Sequence, residues 1–451
     1  MTNINLIDIE RVAVLGSGTM GTGIAGICAN AGFEVLLLDL EKASCDTAVS
    51  KIKAARLTAG RSSMIENHAL LDKITTGSFE HDLDKIADCQ WICEAIIEDV
   101  NIKREIFMRI EALRSDRSII STNTSGIPLR DIYAGMPMRL QKDIAVTHFF
   151  NPVHIMKLVE LVAGENTQPE VIATLADFLG KSHGKSLGKG VVYAKDTVNF
   201  IGNRIGCMWM LAGLQLAEKA ITEQGLSIET VDALMSDPMG FPATGLYGLI
   251  DLVGLDVILN VAKNLEVNLP ANDFGRKFIH FTDNIRAMVE RGQLGRKTGG
   301  GFYQLIRHND GSKTMQVFDI QKQQWRVAEE VELPEHERTL SGLFESDSAN
   351  ARFVKDVMAT TLCYSADLVP EIADDIINVD RAMRWGFAWQ RGPFELIDEL
   401  GAQCLIKRVN AHGLAMPKML QVLIDAGQST FYRNHGSEFL TTAGNWERVP
   451  D

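Results

Sequence analysis

Residues 11–40 read RVAVLGSGTMGTGIAGICANAGFEVLLLDL: a short β-branched strand, a glycine-rich turn, a helical pattern, then a second strand ending on an acid. A bound dinucleotide needs that order. Gly16 permits the tight turn, Gly18 lets the backbone approach a pyrophosphate, and Gly21 allows the helix to pack close to the strand. Thr19 and Met20 open the helix, whose free N–H groups and positive dipole end favour phosphate. Asp39 stands 18 residues beyond Gly21, after the apolar run Val35 to Leu38. Its carboxylate there can accept hydrogen bonds from a ribose 2'-hydroxyl and would repel a 2'-phosphate. Strand, helix and acid at these distances raise the motif above an isolated glycine-rich turn. The motif suits nicotinamide and flavin nucleotides equally, so the choice must come from further along the chain.

At 451 residues the chain is long enough for two to four domains. With 46% hydrophobic and 23% charged residues it has ample material for a core and a wettable surface. A formal charge of -13 argues against nucleic acid and against an anionic membrane as partners. An anionic ligand would need a local basic pocket. Seven cysteines, odd in number and scattered through apolar stretches, read as reduced core residues of a cytoplasmic protein. Cys89 and Cys93 are the nearest pair, but they flank Trp91 in a strand pattern without companion ligands, so no metal is expected. The opening MTNINLIDIE has neither the basic nor the apolar region of a secretory signal, and no stretch has the apolar length of a membrane span.

Strand and helix patterns alternate beyond Asp39. Gln90 to Ile97 is a buried-strand run, Asn101 to Leu113 a helix, and Ser118 to Thr122 and Ile144 to Phe149 are further strands. This predicts a Rossmann-type, doubly wound parallel sheet, with Lys157 to Ala163 and Gly190 to Ala194 at its far edge. Near Asp196 the period turns helical. One long helix is expected over Thr197 to Glu223, followed by Ile228 to Met235 and Leu246 to Asn264. Val231 begins VDALMSDPMGFPATGLYGLIDLVGLD, and Val379 begins VDRAMRWGFAWQRGPFELIDELGA. Asp232 answers Asp380, Met235 answers Met383, Asp251 answers Asp398 and Gly254 answers Gly401, which points to a duplicated helical domain. The expected fold is therefore α/β followed by all-α. Its divisions are a nucleotide-binding domain over 1–195, a first helical domain over 196–305, a strand insertion or linker over 306–348, and a second helical copy over 349–451.

The chemistry begins in HFFNPVHIMKLVELVAG. His148 ends a buried strand, Asn151 and Pro152 mark a turn, and Glu160 lies in a returning apolar strand. This arrangement would set an acid beside an imidazole, fix its tautomer and stabilise the imidazolium formed when the ring takes a proton. A core histidine satisfied by the backbone, with a glutamate at a strand end, is the bland alternative on these residues alone.

The runs GSGTMGTGIA, EAIIEDVNIK, STNTSGIP, HFFNPVHIMKLVE, KDTVNFIGNRI and GRKTGGGFY, in that order over roughly the first 305 residues, resemble the L-3-hydroxyacyl-coenzyme A dehydrogenase family of fatty-acid β-oxidation. The duplicated helical region resembles the family's longer members. The resemblance implies NAD as cofactor and an acyl-CoA thioester as substrate. It implies His148 as catalytic base, Glu160 as its partner, and Ser125 and Asn203 as contacts to the substrate oxygen. Glu98, Lys103, Ser125, Asn151 and Lys297 match nucleotide-contacting positions, and Arg56 and Arg61 are candidates for coenzyme A phosphates. On residues alone, Glu98 with Lys103 could be a helix-start charge pair, Asn151 a turn residue and Lys297 a solvated loop cation. His154, the competing histidine, is expected at the surface.

Two departures stand out. FPATGLYGLIDLVGLD replaces a proline-glycine run that the second copy keeps as RGPFELID. The enoyl-CoA hydratase module of some longer members is absent, which implies a dehydrogenase-only protein or one part of a larger polypeptide. A monomer or homodimer, alone or associated with other β-oxidation enzymes, fits the resemblance. The competing readings are a dehydrogenase of a free hydroxy acid using a lysine base, and a non-catalytic NAD-binding structural or sensory protein. The second copy is expected to be structural: alignment places Asp356 near the position of Asn203, and its apolar face would cover the first copy as a second subunit does in shorter relatives.

Overall fold

In the strand Arg11–Leu15 (β1) every residue after Arg11 is buried, and Glu34–Asp39 (β2) is buried from Val35 to Leu38. Strands apolar on both sides need cover on both faces; the helices Thr19–Asn30 (α1) and Lys42–Ala54 (α2) follow them in turn. This is a computed structural model, and it describes residues 6–54, 65, 67–180 and 185–450; Arg56 and Arg61 lie outside the described residues. The chain divides into two compact units, residues 1–201 with 371–374, and 202–370 with 375–451.

The first unit continues through Ile74–Ser78 (β3), Trp91–Glu94 (β4), Val100–Leu113 (α3), Ile119–Thr122 (β5), Leu129–Tyr133 (α4), Met138–Asp143 (α5), Ile144–Phe149 (β6), Leu158–Ala163 (β7), Pro169–Leu179 (α6) and Gly190–Ala194 (β8). The strands form one sheet in the order β3-β2-β1-β4-β5-β6-β7-β8. The expected parallel sheet is parallel through β6 and then reverses, with β7 antiparallel to β6 and β8 parallel to β7. The connection 150–157 is too short for a parallel crossover, which takes about a dozen residues or more. Residues 371–374 belong to this unit: the Lys195 N–H donates to the Ile372 carbonyl (2.9 Å), and Lys195 Nζ pairs with Asp374 (2.7 Å).

The second unit opens with Gly202–Gln224 (α7), five residues later than expected for the long helix. Asn199 and Phe200, at φ of 60° and 50°, hold left-handed backbone that cannot continue a helix. Ile228–Leu234 (α8), Tyr247–Val253 (α9), Leu255–Asn268 (α10) and Asp283–Glu290 (α11) follow. The helix expected over Leu246 to Asn264 is broken at Gly254, where φ is 103°. The segment expected as a strand insertion or linker contributes to an antiparallel sheet of Tyr303–Arg307 (β9), Lys313–Asp319 (β10) and Gln324–Val327 (β11). Arg326 pins this sheet to α8 with two bonds to Glu229 at 2.6 and 2.7 Å. Next come Leu340–Glu345 (α12), Ala349–Leu368 (α13), Ile376–Gly386 (α14), Pro393–Leu400 (α15), Ala402–Ala411 (α16) and Lys418–Asp425 (α17), then the strands Tyr432–Arg433 (β12), Glu438–Leu440 (β13) and Trp446–Arg448 (β14).

The same bracing recurs in the two halves of this unit. Asp232 accepts the N–H groups of Tyr247 (2.6 Å) and Gly248 (3.0 Å), and Asp251 those of Phe302 (2.8 Å) and Tyr303 (2.7 Å). In the second half Asp380 accepts from Phe394 (2.8 Å) and Glu395 (3.2 Å), and Asp398 from Phe431 (2.7 Å) and Tyr432 (2.8 Å). The correspondence runs past the helices, since β12–β14 stand to Asp398 as β9–β11 stand to Asp251. It also corrects the expected match of Asp356 with Asn203. Asn203 is the second residue of α7 and Asn350 the second of α13, whereas Asp356 lies further along α13 and pairs with Arg408. The spacing of the paired aspartates agrees, since an offset of 147 or 148 residues carries Asn203 to 350–351 and not to Asp356.

The two halves share a core. Trp209 of α7 meets Phe241 and Trp389 edge-on, with centroids 5.3 and 5.7 Å apart, and Phe241 stacks on Trp389 at 4.1 Å. Gly206 leaves the space that the Phe387 ring fills. Buried Arg204 donates from Nε to the Tyr364 hydroxyl (2.6 Å) and pairs with Asp273 (2.5 Å).

Two outcomes follow from this packing. Asp398→Ala strips two backbone donors of their acceptor and should lower the thermal unfolding midpoint by roughly 5–10 °C; an unchanged midpoint would show that the carboxylate braces nothing. Ending the chain at residue 348 uncovers the Trp209 face, so light scattering should report aggregation or new self-association. A soluble monomer that keeps the full protein's stability would contradict the shared core.

Candidate active site

At the mouth of β1 the chain turns under tight constraint. Gly16 has φ of 107°, and a Cβ there would lie 2.5 Å from the Ala95 carbonyl oxygen, while a Cβ on Gly21 would strike the Gly16 carbonyl. Gly18 differs, since a Cβ there would meet nothing within 4 Å. The turn is therefore packed from below and open above. Gly18 is the N-cap of α1 and no side chain caps that end, which leaves the first-turn N–H groups around Thr19 and Met20 suited to phosphate. Asp39 Oδ2 accepts from Ser17 N–H (2.6 Å) and Ser17 Oγ (2.5 Å), and Oδ1 from Leu40 N–H (2.7 Å). A carboxylate has about four acceptor sites, so Asp39 can still take a ribose hydroxyl. These residues fit a dinucleotide.

Glu98, Lys103 and Ser125 come together at the ends of β4 and β5. Asp99 caps α3 by accepting from Asn101 and Ile102 N–H (2.8 and 3.1 Å), which sets Lys103 one turn into the helix. Lys103 is 1% exposed, with Nζ 2.7 Å from Glu94 Oε1 and 3.2 Å from Glu98 Oε2. Burial alone would push its pKa down; the two carboxylates outweigh that and raise it. Burial pushes Glu98 up, but Lys103 and the hydrogen bonds from Thr124 and Ser125 hold it below the usual carboxylate range. Glu98 Oε1 accepts from Thr124 Oγ1 (2.6 Å), Ser125 N–H (2.9 Å), Gly126 N–H (3.2 Å) and Ser125 Oγ (3.4 Å), gripping the turn that carries Ser125.

His148 and Glu160 face each other directly in the β6–β7 register. Opposed residues of an antiparallel pair project from the same face, and here His148 Nδ1 lies 2.7 Å from Glu160 Oε2; against an ionised carboxylate, which only accepts, Nδ1 is the nitrogen that carries the proton. Both side chains are buried. Glu160 Oε1 accepts the N–H of Ile201 at 3.0 Å, just after the left-handed pair Asn199 and Phe200. The rings of Phe150 and Phe200 flank the imidazole at 4.6 and 5.8 Å. With Nδ1 committed, Nε2 is the nitrogen left to take a proton.

The first unit thus holds Gly16, Gly18, Thr19, Met20, Gly21, Asp39, Glu98, Lys103, Ser125, His148, Asn151 and Glu160. Asn151 is exposed on the turn after β6 and precedes Pro152 through a cis peptide. Asn203 and Lys297 belong to the second unit, where Lys297 Nζ pairs with Asp256 at 2.5 Å. His154, expected at the surface, is half-buried; burial, then the charge of Lys189, lowers its pKa. Glu94 and Thr122 were not singled out, although an acid inside the run WICEAII and the polar STNT after an apolar strand were visible signals. Ser17, which ties the glycine-rich turn to Asp39, lay unused inside the motif itself.

Two family models match the chain in series: "3-hydroxyacyl-CoA dehydrogenase, NAD binding domain" over residues 11–197 and "3-hydroxyacyl-CoA dehydrogenase, C-terminal domain" over residues 200–305. A putative fatty acid oxidation complex trifunctional enzyme of Rickettsia felis is 34% identical over 418 residues, which is 92% of this chain and 56% of that protein. A probable 3-hydroxyacyl-CoA dehydrogenase of Bacillus subtilis is 32% identical over 98% of this chain and 58% of its own length. The chain therefore spans a little over half the length of these two relatives. Among solved structures, a 3-hydroxybutyryl-CoA dehydrogenase of Escherichia coli shares the fold over 93% of this chain and 99% of its own, with a TM-score of 0.69 at 23% identity. FadB2 of Mycobacterium tuberculosis covers 66% of this chain and 99% of its own, with a TM-score of 0.55 at 29% identity. With its nucleotide turn and buried His-Glu pair in the first of the two matched domains, the chain belongs to the 3-hydroxyacyl-CoA dehydrogenase family and carries that family's NAD-binding domain.

Proposed function

We propose that this protein oxidises an L-3-hydroxyacyl-CoA to the 3-ketoacyl-CoA with NAD, as a step of fatty-acid β-oxidation. The observation that carries this reading is the His148–Glu160 pair, buried in the same unit as the glycine-rich turn. NAD, when bound, accepts the hydride from the substrate carbon. His148 Nε2 takes the hydroxyl proton, and Glu160 holds the imidazole in the Nδ1–H tautomer and offsets the charge it gains. The Ser125 hydroxyl and the Asn203 amide are assigned to the substrate oxygen, where donors favour the developing carbonyl. Gly16 to Gly21 cradle the pyrophosphate, Asp39 takes the adenosine ribose, and Glu98, Lys103, Asn151 and Lys297 serve the nicotinamide end. The second half of the helical unit is assigned a supporting role. Asn350, the counterpart of Asn203, gives its amide to Glu337 Oε2 at 2.7 Å.

The primary test is NADH consumption with acetoacetyl-CoA, which should be rapid; no turnover with any acyl chain length would reject the reading. His148→Gln should leave NAD binding intact and cut kcat by about 10² to 10⁴. A variant with near-normal kcat would move the base elsewhere. Asn203→Ala should slow turnover while Asn350→Ala leaves it largely unchanged, and equal losses would give the second half a catalytic part. On cofactor choice, the carboxylate of Asp39 should make NAD the better substrate over NADP by about a hundredfold or more in kcat/KM, because like charges would face each other. Asp39→Ala should narrow that gap; comparable use of both cofactors by the unaltered protein would refute the assignment.

A further inference from the structure

Three charged groups, two of them fully buried, meet where β4 ends and α3 begins. Glu94 ends β4, next to β1 in a sheet whose strand order reverses between these two strands. In open α/β sheets this switch point is where ligands sit. The close approach of Gly16 to the Ala95 carbonyl brings the glycine-rich turn onto the residue after Glu94. Glu94 is fully buried and accepts three hydrogen bonds: Oε1 from Lys103 Nζ (2.7 Å) and Ile96 N–H (2.8 Å), and Oε2 from Thr122 Oγ1 (2.6 Å). Every partner is a donor, as an ionised carboxylate requires. Lys103 is shared with Glu98 at 3.2 Å, and Glu98 remains 40% exposed. Two carboxylates against one ammonium leave one negative charge in excess, shared between buried Glu94 and the partly exposed Glu98.

The excess matters because the two redox states of the cofactor differ in charge at one place. The oxidised nicotinamide ring is a cation and the reduced ring is neutral. On the proposed function, in which Glu98 and Lys103 serve the nicotinamide end, a fixed negative charge in their cluster attracts the oxidised ring and does little for the reduced one. We propose that Glu94, which nothing in the nucleotide motif marks out, is a specificity-determining residue for the redox state of the cofactor: with Glu98 it overbalances Lys103 by one charge and so favours bound NAD+ relative to NADH. The effect lowers the drive for hydride transfer to the bound cofactor and limits trapping as NADH. Glu94 touches neither cofactor nor substrate in this account; it acts through the field of the cluster and by fixing Lys103.

The test is equilibrium binding, without turnover. Dissociation constants for NAD+ and NADH are measured by calorimetry on the full chain and on Glu94→Gln, which keeps the shape of the side chain and removes its charge. The ratio Kd(NAD+)/Kd(NADH) should rise about tenfold in Glu94→Gln, the size expected for one unit charge acting over about 10 Å at an effective dielectric constant of about 20. Glu94→Asp, which keeps the charge, should hold the ratio near that of the unaltered protein. A structural role alone would weaken both nucleotides together and leave the ratio unmoved, and that result overturns the proposal. Should Glu94→Gln fail to fold, Glu98→Gln removes the same charge from the more exposed partner and must shift the ratio in the same direction; an unchanged or inverted ratio again overturns it.

Discussion

Burying a carboxylate completely is costly unless strong hydrogen-bond partners replace its water, and Glu160 is 0% exposed. It meets that demand with two groups from different parts of the first unit, the imidazole of His148 and the backbone N–H of Ile201. The same two bonds place the ring proposed as proton acceptor. They depend on the reversal of β7, because the antiparallel register sets Glu160 opposite His148. They depend equally on the left-handed backbone at Asn199 and Phe200, which ends on the N–H that Glu160 receives. Sheet topology, loop conformation and tautomer are linked through one side chain.

A second buried acid organises the neighbouring region in the same way. Glu94 gathers Lys103, Thr122 and the Ile96 N–H, and Lys103 in turn holds Glu98. Glu98 then grips three consecutive residues of the turn that carries Ser125. Removing Lys103 from such a network would leave buried Glu94 without its counter-charge, which is far more damaging than losing a surface pair. Positions that read as a solvated charge pair in sequence are thus an internal frame for the site.

Much of this was legible in the residues. The stretch 11–40 specified strand, turn, helix and acid because each glycine answers a local steric demand, and β6 falls on the predicted residues because an uninterrupted apolar run permits little else. β3 escaped because ITTGS carries a single large apolar residue and is held by pairing with β2. The late start of α7 escaped because Asn199 and Phe200 carry no signature of positive φ beyond the tolerance of asparagine for it. The antiparallel turn at β7 was implicit in the short 150–157 connection, a length cue that apolar pattern does not convey. Glu94 and Thr122 were overlooked because a polar residue inside a buried strand shows its meaning only when its partners from α3 and β5 are in place.

The central claim is that His148 presents Nε2 as a base because Glu160 holds the proton on Nδ1. Nitrogen-15 NMR of the protein with labelled histidine side chains, assigned by comparison with a His148 variant, reads that tautomer directly. The account predicts a neutral ring protonated at Nδ1, with the low-field proton resonance of a short, charge-assisted hydrogen bond and an unprotonated Nε2. A neutral ring protonated at Nε2 at the pH of turnover would contradict it, since Nδ1 could then only accept from a protonated Glu160 and no base would face the substrate.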